Sequence, residues 1–157
     1  MTDCYFDSVK VMVRLGPYSD SSLDLVVKSR NILASADGGT LPGGLGISIQ
    51  EQSSAENAEF WPALTMETPD RRSAIHETVK NALRVADRVE AKRIGIYTLG
   101  LEVARIPSWE VAEEVSKAVY DHSKSTTSEL EIVVVASSPT QVSSFQYALD
   151  NITVISS

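Results

Sequence analysis

From Ser8 to Leu15 apolar and polar side chains alternate. Val9, Val11, Val13 and Leu15 share one side and Lys10 and Arg14 the other, which predicts a strand. Leu23 to Ser29 is different: Leu25, Val26 and Val27 run without a break between turn signals, as expected of a strand buried on both faces. The pattern weakens from Glu51 to Glu59, which reads as a short helix or an exposed connection. Ala63 to Glu67 reads as a third strand, opened by Trp61-Pro62. After Thr68-Pro69-Asp70, where Thr68 or Asp70 can cap, Ile75, Val79, Leu83 and Ala86 recur at helical spacing, predicting an amphipathic helix from about Arg71 to Val89.

The second half alternates more regularly. Arg93 to Thr98 is a predicted strand and Thr98 to Ile106 a loop containing Gly100. A helix opens at Pro107-Ser108, with Val111, Val115, Ala118 and Val119 on its apolar line and Glu113 placed to pair with Lys117. Leu130 to Ala136 is a buried strand. Ser138-Pro139-Thr140-Gln141 matches a capping box, opening a helix through Leu149. Ile152 to Ile155 reads as a last strand. Helices alternating with strands predict a largely parallel sheet with helices on both faces.

A chain of 157 residues, 43% hydrophobic and 22% charged, fits one domain over 1–157 with a sizeable core. The formal charge of −7 opposes a duplex nucleic-acid surface. One cysteine, Cys4, allows neither an internal disulfide nor a Cys-rich zinc site. Met1 to Asp7 shows no secretory pattern and no apolar run is long enough to span a membrane. The expectation is a cytoplasmic protein with no membrane partner.

The candidate chemistry centres on Asn31 to Gly46, which follows the second predicted strand and holds five of the chain's eight glycines. Glycines let backbone N–H groups approach a ligand, and free N–H groups ahead of a helix form an anion site. Ile47-Ser48-Ile49 is read as the start of that helix. A long connecting loop is the alternative reading. In open α/β sheets ligands bind beyond the carboxyl ends of the strands. The loops after Ser29, after Tyr97 and at Ser137-Ser138 all leave such ends.

Three stretches together resemble a macro domain: Leu23 through Asn31, Pro42-Gly43-Gly44-Leu45-Gly46-Ile47, and the succession Asn81-Ala82-Leu83, Arg93 to Gly100, Ile106 to Ala112. The resemblance implies a three-layer α/β/α sandwich with a mixed, largely parallel sheet. It implies binding of ADP-ribose or a related nucleotide diphosphate, as a free small molecule or on an ADP-ribosylated protein. Asn31 would approach the distal ribose, and Gly43, Gly44, Leu45 and Gly46 would line the diphosphate and distal ribose. Thr98, Leu99, Gly100, Leu101 and Glu102 would form the second phosphate loop. Two places depart from the family pattern. Gly16-Pro17-Tyr18 stands where Gly-Asp-Ile carries the adenine-binding carboxylate, and Gly100-Leu101-Glu102 stands for Gly-x-Gly.

An ADP-ribosyl or O-acetyl-ADP-ribose hydrolase is the enzymatic alternative, with Asn31 orienting a water and Asp37 as general base. Both residues read equally as turn residues. A macro-like scaffold for protein interaction is the other alternative. Tyr18, Trp61 and Tyr97 are candidates for stacking on a base or for plain packing. His76 and His122 have no metal-ligand spacing, and neither a metal nor a cofactor is expected.

Overall fold

The computed structural model describes residues 3–29 and 53–156, together with the backbone of 32–34 and 47–49. The elements are β1 (Cys4–Phe6), β2 (Val9–Leu15), β3 (Leu25–Lys28), β4 (Ile32–Ala34), β5 (Ile47–Ile49) and β6 (Asn57–Phe60). Then come α1 (Arg71–Arg88), β7 (Arg93–Tyr97), α2 (Leu99–Val103), α3 (Ser108–Ser123), β8 (Leu130–Ala136), α4 (Pro139–Asp150) and α5 (Ile152–Ile155). Six strands form one mixed sheet in the order β1-β2-β8-β7-β3-β6, in which only β1 runs antiparallel to its neighbour. The strands β4 and β5 make a separate antiparallel pair.

The period-2 pattern of the strands becomes two apolar faces. On the first, the row Val11, Ile132, Ile94, Leu25 crosses β2, β8, β7 and β3 in register. It packs with Ile75, Val79 and Leu83 of α1, Val111, Val115 and Val119 of α3, and Phe145 of α4. Each such side chain contributes about 1.5–3 kcal/mol when buried, so this layer carries the fold. On the second face the row Met12, Val133, Gly95, Val26 lies in register. A smaller cluster of Met12, Leu23, Val26, Tyr97, Val133 and Val135 forms there, with Tyr18, Ala55 and Ala58 packed against it.

Between α1 and α3 the polar edges interlock as ion pairs. Arg71 grips Glu110 through two hydrogen bonds of 2.9 and 2.8 Å. Arg72 reaches Glu113 at 2.7 Å and Glu114 at 2.6 Å. The expected Glu113–Lys117 pair does not form. Arg72 holds Glu113, and Lys117 turns to Glu114 at 3.0 Å instead.

Four other expectations are corrected. The third strand is Asn57–Phe60, within the segment read as helix or connection, and not Ala63 to Glu67. Trp61-Pro62 ends that strand: Trp61 N–H makes its last bond to Lys28 O at 3.0 Å, and proline has no N–H to continue the ladder. Thr65 to Thr68 instead close a turn through Thr65 N–H to Thr68 Oγ1. Ile152–Ile155 is a helical turn, not a strand. Ile152 and Ile155, three residues apart, both pack on the core. Leu99–Val103 is helical where a loop was expected, because Leu101 buries its side chain in the main core. Ile47–Ile49 is a strand paired with Ile32–Ala34 rather than a helix start. Asp70 occupies the N-cap position of α1 at φ 56°, without a side-chain capping bond.

Candidate functional site

A cavity of about 420 Å³ opens at the carboxyl ends of four neighbouring strands. Among the described residues, its wall is Gly16, Pro17 and Tyr18 after β2, Lys28 at the end of β3, Tyr97 and Leu99 around the end of β7, and Val135 to Ser137 at the end of β8. The parallel register brings these together. Arg14, Val135 and Tyr97 lie in one row across β2, β8 and β7, one residue past the end of the buried apolar rows.

Gly16 seals one side. Its N–H donates to Ala136 O at 2.8 Å, and a Cβ there would stand 3.2 Å from Val135 Cγ1. A side chain there would need Val135 to give by a few tenths of an ångström for the backbone to stay this close over β8. Tyr97 fastens the next turn, its hydroxyl donating to Tyr18 O at 2.9 Å. Trp61 supports Tyr97 from below through Nε1 to Tyr97 O at 2.8 Å. Trp61 is thus a packing residue and stands in the main core.

Among the described residues of the wall, Lys28 is the charged one. It is buried, yet its ammonium makes a 2.7 Å ion pair with Asp20 and sits 4.5 Å from the Tyr97 ring centroid. Burial alone would raise the Asp20 pKa. The hydrogen bonds from Lys28 and from the Ser54 hydroxyl and N–H outweigh it and hold the carboxyl down at about 2. One face of the Tyr97 ring carries the ammonium, so this residue holds a cation where base stacking was a sequence expectation. Neither aspartate near Gly16 supplies the carboxylate missing there. Asp20 is bound to Lys28 and Ser54, and Asp24 accepts from Lys92 N–H and Arg93 N–H, both at 2.9 Å.

The opposite wall hangs on Gln141. Its Oε1 accepts from Ser137 N–H at 2.9 Å and from the Thr98 hydroxyl, tying the ends of β7 and β8 to the first turn of α4. Ser138 caps α4 by accepting from Gln141 N–H at 3.2 Å. Only this half of the capping box forms, because the Gln141 side chain turns to Ser137 and Thr98. Ser137 in turn donates its hydroxyl to the Glu102 carboxylate on α2.

Of the residues singled out in the sequence, Leu99 lines the cavity and Glu102 stands beside it through Ser137. Thr98 is fully buried, its N–H donating to Val135 O at 3.2 Å, and its one hydroxyl proton is shared between Gln141 Oε1 and that same carbonyl, 3.1 Å away. Gly100 lies within α2, and Leu101 points into the main core. Asn31, Asp37, Gly43, Gly44, Leu45 and Gly46 lie outside the described residues. Lys28 and Gln141 were not foreseen in these roles. The signal for Lys28 was a lone charge closing the apolar run Leu25-Val26-Val27. Among the described residues no cluster of His, Cys, Asp or Glu has metal-binding geometry, and no helix is long and apolar enough to cross a membrane.

No family model matches the chain, and no curated protein matches it in sequence. Solved structures do. The Oceanobacillus iheyensis macrodomain with MES bound aligns at a TM-score of 0.71 and 13% identity, covering 98% of this chain and 97% of that one. A variant of it with ADP-ribose gives 0.71 and 14%, covering 98% of both chains. The form with ADP gives 0.70 and 13%, covering 98% and 96%. The fold is that of a macrodomain. The macrodomain fold accounts for the three-layer α/β/α class, the mixed sheet with its antiparallel edge β1, and the alternation of the second half.

Proposed function

We propose that the cavity over Gly16, Lys28, Tyr97 and Ser137 binds ADP-ribose or a related nucleoside diphosphate. One observation carries the reading. The cavity lies at the carboxyl ends of parallel strands, where α/β sheets take ligands, in a fold whose solved neighbours hold ADP-ribose and ADP. Its volume of about 420 Å³ falls in the range of small-molecule sites. Pro17, Tyr18, Leu99 and Val135 provide apolar wall, and Lys28 provides positive charge.

Within this proposal Asn31 contacts the distal ribose, and Gly43, Gly44, Leu45 and Gly46 approach the diphosphate. Leu99 and Gly100 face the ligand from the start of α2. Thr98, Leu101 and Glu102 act by holding that short helix in place. Calorimetric titration of the full chain with ADP-ribose tests the reading. Saturable heat is expected, weakened in Asn31→Ala. Absence of heat at millimolar ligand would overturn it.

A further inference from the structure

We infer that Lys28 is the phosphate-recognising residue of this pocket and that Asp20 sets how strongly it acts. The inference rests on the ligand reading above and deepens it. Lys28 ends a strand in which Leu25, Val26 and Val27 are all completely buried. It lies on the same face as Val26, two residues on, and that face opens into the cavity. Only 8% of its side chain is exposed.

Burying an ammonium is costly, and an apolar residue in place of a buried ion pair is often neutral or stabilising. This pair stands in the wall of a cavity instead of deep in the core. There it can do what a leucine cannot. A cation in a partly desolvated wall attracts an anion far more strongly than one in bulk water.

The surroundings hold the ammonium ready. The Tyr97 ring is 4.5 Å from Nζ, and the ring is itself pinned by its hydroxyl to Tyr18 O. Asp20 is 2.7 Å from Nζ on the other hand, and it is fixed by the Ser54 N–H and hydroxyl. Lys28 is therefore positioned before any ligand arrives, at little further loss of rotamer freedom. The ligand class that fits is a phosphate or diphosphate ester, whose oxygens accept from Nζ beside the carboxylate. Asp20 competes for the same charge and lowers the affinity from what an unpaired lysine would give.

The test is calorimetry on the full chain with two probes, ADP-ribose and inorganic pyrophosphate, across a range of salt concentrations. In Lys28→Met, affinity for ADP-ribose should fall about tenfold or more and its salt dependence flatten. Lys28→Arg keeps the charge and should retain most of both. Asp20→Asn should tighten binding several-fold. Thermal melting of each variant shows that it is folded.

Equal affinity of wild type and Lys28→Met for ADP-ribose overturns the inference and leaves the proposed function standing. Equal losses in Asp20→Asn and Lys28→Met also overturn it, since the pair would then be only a structural clamp. Binding of pyrophosphate alone, lost in Lys28→Met, upholds the inference and removes the nucleoside from the proposed function. Binding of neither probe overturns both.

Discussion

Gly95 leaves the space that Leu23 fills. A Cβ built on Gly95 would stand 2.4 Å from Leu23 Cδ1 and 3.0 Å from Tyr97 Cε1. The glycine lies in the middle of β7, in the row that joins Met12, Val133 and Val26 on the second face. Its missing side chain sets how deeply Leu23 and Tyr97 sit, and Tyr97 is part of the cavity wall.

Gly95→Ala should therefore destabilise the fold by about 1–3 kcal/mol, the usual cost of overpacking a closed core. Glycine in a strand otherwise weakens it, so an open site would give a small gain instead. Urea unfolding of wild type and variant decides between the two signs. The variant should also bind ADP-ribose less well, because the added methyl presses on Tyr97 Cε1, 3.0 Å away, as well as on Leu23.

Gln141→Ala removes the acceptor shared by Ser137 N–H and the Thr98 hydroxyl. Ser137 N–H then loses its acceptor, whereas the Thr98 hydroxyl keeps Val135 O at 3.1 Å. One buried donor left unsatisfied costs about 1–3 kcal/mol, the loss expected from chemical unfolding. Amide exchange should quicken at Ser137 and through Leu99–Val103, the segments that Gln141 joins.

The sequence made the sheet legible where burial is strongest. Val9–Leu15, Arg93–Tyr97 and Leu130–Ala136 show their pattern locally, and α1 and α3 show theirs through one buried stripe each. Asn57–Phe60 was hidden because an edge strand needs few apolar residues. Its place comes from bonds to β3, a tertiary context that overrides propensity. Ile152–Ile155 misled through its β-branched residues, although Ile152 is buried and Ile155, at helical spacing from it, packs against the main core. Gly100 likewise disguised α2 as a loop. At the site, Leu99 and Ser137 belong to the strand-end loops that the alternation marked out. Lys28 could not be read as a cavity residue, because its role depends on Asp20, Ser54 and Tyr97 arriving from three other segments.

Asp20 gives the fold an acid-sensitive point. Its carboxyl is held at about 2, below its ordinary 3.8, by Lys28 and Ser54 against the effect of burial. The unfolded chain binds the proton more readily, so the pair stabilises the fold above about 3.8 and that contribution is lost as pH falls towards 2. Asp20→Asn should flatten the stability curve across that window. Denaturant midpoints measured at intervals between those limits provide the check, and an unchanged slope would show that Asp20 does not titrate with folding.

The bidentate pair of Arg71 and Glu110 joins α1 to α3 with 7% of the Glu110 side chain exposed and 24% of Arg71. Breaking a fully buried pair by removing one partner costs about 3–5 kcal/mol. Arg71 retains some water, so Glu110→Ala should cost about 1–3 kcal/mol, between that value and the small worth of surface pairs. Replacing both, Arg71→Met with Glu110→Leu, should recover most of the loss, because no charge is then left unpaired. A double-mutant cycle of Arg71→Met, Glu110→Leu and their combination, on unfolding free energies, measures this coupling.

His122 should make stability fall at mildly acidic pH. It is buried near the end of α3, with Nε2 3.0 Å from Asp87 Oδ2. Burial lowers its pKa from the ordinary 6.5, and the pull of Asp87 in the other direction does not compensate. In the unfolded chain the same imidazole takes up a proton as pH drops through 6.5. The unfolded state then binds more protons, so folding stability is full above that pH and declines below it. His122→Gln removes the titration while keeping a polar side chain. Melting temperatures of wild type and variant, followed from neutral pH downward, should converge as the wild type loses its advantage. A constant difference across that range would show that His122 is charged to the same extent in both states.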